Sequence, residues 1–185
     1  MKYVIEHLEP EAYDWCLVEY KHISKIVGAG NLIFTNVKKG KEKLKALGEV
    51  HDSSVKELNL KNACVLDPEA GKTLSTADKK FDYLIFGGIL GDFPPKKRTG
   101  IELSSKLDFE KRNLGKEQMS TDTAVYVSKK IIEGKKLSDI KFKDEIELDV
   151  DEGESVELPY RYVIEDGKPV LPDGFVEFLR NREEF

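Results

Sequence analysis

The stretch Tyr83-Leu84-Ile85-Phe86-Gly87-Gly88-Ile89-Leu90-Gly91-Asp92 decides how the chain folds. Its first four residues form an unbroken apolar run, as expected of a strand buried on both faces, and parallel sheets are built from such strands. The glycines that follow let a backbone approach a ligand that any side chain would keep away. A phosphate loop would end in Gly-Lys-Ser/Thr and open straight into a helix, whereas Phe93, Pro94 and Pro95 follow here and block a helix. The GxGxxG spacing of a dinucleotide site is absent too, and Gly28-Ala29-Gly30 lies after a helical pattern rather than after a strand. A purely structural tight turn is the alternative reading of these glycines.

Working outward, residues 2–8, 31–37 and 63–66 read as further strands. Pro10, flanked by Glu9 and Glu11, suits the first turn of a helix. Its apolar stripe is Ala12, Trp15, Cys16, Ile23, Ile26 and Val27, and Gly28 and Gly30 end it. Glu19 falls on that stripe, either at its wet edge or aimed at a pocket. A short basic helix is expected over 41–47, and a longer one over 121–133 with Ala124, Val125, Val127, Ile131 and Ile132 as its apolar set. Strands alternating with helices predict an α/β fold, a parallel sheet with helices on both faces and ligands beyond the carboxyl ends of its strands.

Beyond Lys135 the pattern changes to short β-like pieces, 140–142 and 146–150, followed by 161–164 and 169–171 around Asp166-Gly167, a hairpin signal. A short helix over 174–180 closes the chain. We therefore expect a main domain over 1–138 and a β-rich acidic extension over 139–185 packed on it.

The length of 185 residues is that of one domain with appended pieces, and 39% hydrophobic with 35% charged residues supports a buried core. The longest apolar-plus-glycine run, Tyr83 to Gly91, is under half of the roughly 20 residues a membrane helix needs. Glu6 and His7 interrupt the first apolar stretch, so no signal-peptide core is expected and the protein is expected in the cytoplasm, with Cys16 and Cys64 as reduced, packed thiols. His7, His22 and His51 show no metal-ligand spacing, and no metal is expected.

A net charge of −5 opposes unaided binding to a phosphate backbone. Asp144, Glu145, Glu147, Asp149, Asp151, Glu152, Glu154 and Glu157 crowd one segment with no basic residue among them, while Lys96, Lys97, Arg98, Lys106, Lys111, Arg112 and Lys116 gather in another. The acidic segment is a solvated face, a partner for the basic segment, or a recognition surface for a basic protein.

A second chemical motif is 112–124, a polar loop leading into the helix at 121. Ser120, Thr121 and Asp122 can each cap free N–H groups there, which is more capping than one helix start needs. The surplus can hold a ligand's amino or carboxyl group.

Four separated motifs now stand in order: Lys2-Tyr3-Val4-Ile5-Glu6-His7; Gly87 to Asp92 with Pro94-Pro95 and Arg98-Thr99; Gln118-Met119-Ser120-Thr121-Asp122-Thr123-Ala124; and Glu154-Ser155-Val156-Glu157-Leu158-Pro159-Tyr160-Arg161-Tyr162. Together they resemble the SPOUT-class methyltransferases, and within them the branch that modifies an arginine of a ribosomal protein in yeast. The resemblance spans nearly the whole chain, except for 38–58 and Lys96-Lys97, where the match lapses.

It implies a C-terminal trefoil knot, an exception to the usual avoidance of knots, and S-adenosylmethionine (SAM) bent within it. By the same resemblance, Leu66, Asp67, Gly87, Gly88, Ile89, Leu90, Gly91, Leu114, Gly115, Gln118, Met119, Thr121 and Thr123 are the expected cofactor residues. A guanidinium nucleophile starts protonated, so carboxylates must orient it and receive charge as its proton leaves. Asp92 is the first candidate for that catalytic role and Asp122 the second, with Glu6 and Glu19 behind them.

The expected substrate is an arginine of a basic ribosomal protein. The alternatives are RNA, held by the basic segment, and a non-catalytic SAM sensor or assembly factor. SPOUT proteins commonly pair through their knots, and the sequence leaves monomer and dimer both open.

Overall fold

The computed structural model describes residues 1–89 and 98–181. Six strands, β1 (Lys2–His7), β2 (Leu32–Thr35), β3 (Glu49–Val50), β4 (Ala63–Leu66), β5 (Tyr83–Gly88) and β6 (Glu110–Arg112), form one parallel sheet in the order β3-β2-β1-β5-β4-β6. The chain builds outward from β1 through β2 to β3, then returns to fill the other side with β5 against β1. That reversal sets β4 and β5 side by side with their carboxyl ends at one crevice, where open α/β sheets bind ligands.

Alternation along each strand sorts the core into two layers. Tyr3, Ile5, Phe34, Cys64, Leu84 and Phe86 face one side, where α1 (Asp14–Val27), α2 (Lys41–Leu44) and α3 (Thr121–Ile132) cover them with Tyr20, Ile23, Leu44, Val127 and Ile131. Val4, Ile33, Val65 and Ile85 face the other side, covered among the described residues by Val55, Leu103 and Leu107. The parallel sheet is therefore as expected, but the long helices gather on one face. Short helical turns at Thr99–Leu103 and Ser104–Lys106 and the loop around Val55 serve the second face.

The first helix starts at Asp14, later than Pro10 suggested, with Tyr13 in extended conformation as its N-cap. Glu9 is instead drawn to Arg98, 2.9 Å away. The charged strand β6 was not expected. It is a three-residue edge strand, so it needs no apolar alternation, and among the described residues it pairs with β4 alone.

After α3 the chain forms β7 (Phe142–Asp151), β8 (Glu154–Glu165) and β9 (Lys168–Pro169), an antiparallel sheet, and then α4 (Phe175–Arg180). The turns are Glu152-Gly153 and Asp166-Gly167, with positive φ at Gly153, Asp166 and Gly167. One face of β7 and β8, carrying Ile146, Val150, Leu158 and Tyr162, packs with Phe175 and Leu179 of α4 and with Trp15 and Val18 of α1. Cys16 and Cys64 are buried and free. No helix among the described residues is long and apolar enough to cross a membrane.

Candidate active site

A cleft of about 1490 Å³ opens at the carboxyl ends of β4 and β5. Leu66, Asp67, Gly87, Ile89, Leu114, Gly115, Gln118, Met119 and Thr121 all line it. Three expected residues lie elsewhere. Gly88 faces the core, where a Cβ would come within 2.4 Å of the Tyr20 hydroxyl and 2.8 Å of Ile5 Cγ2. Thr123 is buried and accepts a hydrogen bond from the Ser120 hydroxyl at 2.9 Å. Asp122 is buried beside the cleft, bonded to His22 Nδ1 at 2.7 Å. Leu90, Gly91 and Asp92 lie outside the described residues, as do Lys96 and Lys97.

One side chain stitches the lining loops together. Asn113 donates through its amide to Ala70 O (2.6 Å), while its oxygen accepts from Thr73 Oγ1 (3.0 Å) and Gly115 N (3.1 Å). Its backbone bonds Lys72 O and Leu74 N. The loop after β4 and the loop after β6 are thus one hydrogen-bonded unit. Gly115 turns with φ +100°, a conformation that favours glycine. The first turn of α3 closes the unit onto β5, with the Thr121 hydroxyl donating to Gly87 O at 3.3 Å. The surplus polar residues at this helix start are therefore used between elements rather than as caps: Ser120 makes no side-chain cap bond.

Sequence reasoning missed the outer wall. Tyr13, Asp14 and Trp15 of the α1 start, Glu157 to Tyr160 of β8, and Glu177 and Phe178 of α4 line the same cleft. Trp15 meets Phe175 and Phe178 edge-on at centroid distances of 5.4 and 5.6 Å. The Arg161 N–H donates to Gln118 O at 2.8 Å, tying the hairpin to the loop beneath it. The run 154–162 was singled out only by family resemblance, since nothing in its alternating pattern marks a cleft wall.

Glu19, the carboxylate on the apolar stripe of α1, also lines the cleft and is 9% exposed. Trp15 Nε1 donates to it at 2.9 Å. Burial, with the nearby Asp122 charge, pushes its pKa up to about 8 against the pull of bonds from Trp15 and Thr121. Glu6, the other outlying candidate, is structural: the Thr35 and Ser54 hydroxyls and Val55 N–H all donate to it, and it joins β1 to the loop over the second face.

A family model described as SFM1-like, protein arginine N-methyltransferase, matches residues 2–184. The chain belongs to the SFM1-like family. A member of that family, protein arginine N-methyltransferase SFM1 of Saccharomyces cerevisiae, is 38% identical over 97% of this chain and 94% of its own. The yeast arginine methyltransferase SFM1 solved with SAM superposes with TM-score 0.87 at 37% identity, covering 97% of this chain and 89% of that one. Its complex with SAH gives 0.85 over 96% and 94%. A dual-specific Trm10 from Thermococcus kodakaraensis, 17% identical with TM-score 0.55 over 74% and 95%, shares the fold alone. Both the sheet and the β7–β8 wall thus fall within the span matched to the SFM1 structures.

Proposed function

We propose that the chain is a SAM-dependent methyltransferase that modifies an arginine of a basic protein, with a ribosomal protein in the cytoplasm as substrate. The observation that carries this reading is the mixed character of the cleft. Its inner loops offer apolar Leu66, Leu114 and Met119, and its outer wall offers the carboxylates Asp14, Glu157 and Glu177 among aromatic rings. The inner part fits a nucleoside cofactor. Gln118 Oε1 is buried there with no hydrogen-bond partner among the described residues, an acceptor waiting for a donor. The cradle at Gly87 has no spare room, since a Cβ would sit 3.1 Å from Ile89 Cδ1.

When bound, SAM supplies a methyl group already activated on a sulfonium. The residues of this chain need then only hold a nucleophile in line and exclude water. Leu66, Leu114 and Met119 would hold the nucleoside, Gln118 Oε1 would accept a hydrogen bond from it, and the β8–α4 wall bounds the cleft on the substrate side. Carboxylates and aromatic faces suit a guanidinium, which pairs with the first and stacks on the second.

The RNA reading has less support. Arg112 is buried and paired with Asp78 (2.9 Å) and Glu110 (2.7 Å), and Arg98 is held by Glu9 and Glu102. Both are spent within the fold instead of facing phosphate. The main domain over 1–138 and the extension over 139–185 are proposed to act as one unit, the first holding the cofactor and the second the protein. In this reading the packing of 112–121 on the loop after β4 and on Gly87 belongs to the trefoil knot.

The test is transfer of labelled methyl from SAM into purified small-subunit ribosomal proteins and, separately, ribosomal RNA. Label on an arginine of a protein, located by mass spectrometry, is the expected result. Label in RNA alone overturns the substrate class, and SAM binding with no label in either identifies a sensor.

A further inference from the structure

Resting on that reading, we propose that Glu19 is the catalytic carboxylate, receiving the substrate guanidinium and taking the proton it gives up. Five carboxylates are buried among the described residues: Glu6, Glu19, Asp67, Asp78 and Asp122. Glu6 is saturated by donors from the second face and Asp78 by Ser75 and Arg112, while Asp122 is paired with His22 and is not among the residues lining the cleft. Asp67 lines the cleft within the cofactor loops, where its Oδ1 accepts from Glu69 N at 2.9 Å. Glu19 alone joins the two halves of the cleft. Thr121 of the cofactor side lines the cleft with it, and Trp15, whose ring packs against α4, fixes it from the substrate side.

The Trp15 bond holds the carboxyl in place before substrate arrives, which is what in-line attack requires. Tyr160 and Phe178 line the same cleft, so a guanidinium entering it meets aromatic side chains. As the N–CH₃ bond forms and the S–CH₃ bond breaks, sulfur becomes a neutral thioether. The attacking nitrogen loses one hydrogen as a proton to a Glu19 oxygen, and the N–H electron pair returns to the guanidinium. The product keeps its single positive charge, and Glu19 ends protonated until water removes the proton.

Glu19 must therefore be ionised to act. The titratable groups around it are Asp122, itself paired with His22, Cys16 and Tyr20 of α1, Tyr162 of β8, and the cleft carboxylates Asp14, Glu157 and Glu177. Burial and the Asp122 charge hold its pKa up, so in the free protein it carries its proton to higher pH than an ordinary glutamate. A guanidinium beside it favours ionisation. Activity thus climbs with pH as Glu19 ionises, rather than being level from the ordinary carboxylate range upward.

The experiment follows methyl transfer to the labelled ribosomal-protein fraction across pH, with SAM affinity measured by calorimetry on the same samples. Glu19→Gln is expected to lower kcat/KM about a hundredfold with SAM affinity unchanged. Trp15→Phe removes a bond to the ionised form and moves the rise to higher pH. Asp122→Asn removes a repelling charge and moves it lower. These opposite displacements would not come from general loosening, so the inference stays testable if Glu19→Gln fails to fold. Full activity in Glu19→Gln, loss of SAM affinity in it, or a rise that stays put in both other variants overturns the assignment while wild-type transfer still upholds the methyltransferase reading. Wild-type protein that binds SAM but labels no protein brings down both.

Discussion

At Gly87 the missing side chain faces the cleft, with Ile89 Cδ1 and Thr99 Oγ1 at 3.1 and 3.4 Å from where a Cβ would stand; at Gly88 it faces Tyr20, Ile5 and the Glu6 carbonyl. Tyr20 is itself buried and tied to His7 at 2.8 Å, so it has nowhere to go. Gly88→Ala is expected to cost about 1–3 kcal/mol of stability through overpacking, seen as a lower denaturation midpoint. Gly87→Ala should fold and lose SAM affinity instead, as calorimetry would show. Both glycines carry the same signal in sequence, because a residue without a side chain records only that space is short and not what fills it. The same limit hides the uses of Thr121 and Asp122. Their capping chemistry is legible, but Gly87 O and His22, which they bond instead, are 34 and 100 residues away.

Elements whose own residues dictate their state were readable. The apolar runs at 63–66 and 83–86 became β4 and β5, and the periodic stretch from 121 became α3. β6 was not, since Glu110-Lys111-Arg112 takes strand form only because β4 lends it a ladder, and its arginine is held by Asp78. The β7–β8 hairpin read as short pieces because its acidic outward residues and the irregularity at Glu145, where φ is +58°, break the alternation. Its role as a cleft wall depends on α4 clamping it to α1. Phe175, 5% exposed and edge-on to Trp15, carries that clamp. Phe175→Ala is expected to cost about 3 kcal/mol and to lower methyl transfer more than SAM affinity, measurable by denaturation and by paired binding and turnover assays. An equal loss in both would place α4 in cofactor binding.

Across the whole molecule, charge divides the surface by purpose. Arg98 and Arg112 are neutralised by neighbouring carboxylates, and Arg161 pairs with Asp144. The acidic and basic segments do not pair with each other among the described ion pairs; Asp144 and Asp151 take Arg161 and Arg180 instead. Asp149, Asp151, Glu152 and Glu154 stay exposed at the hairpin's far end. A field of this kind raises the rate of encounter with a basic protein more than the final affinity. Neutralising those four residues is expected to slow methylation of the ribosomal protein and flatten its dependence on salt, and unchanged kinetics would remove the docking role.

Trp15 is the only tryptophan in the chain, and it stands in the cleft between Glu19 and the α4 rings. The molecule therefore carries its own optical reporter at the place where its ligands meet. Its ultraviolet emission follows occupancy of the crevice without a dye, and no second indole dilutes the signal.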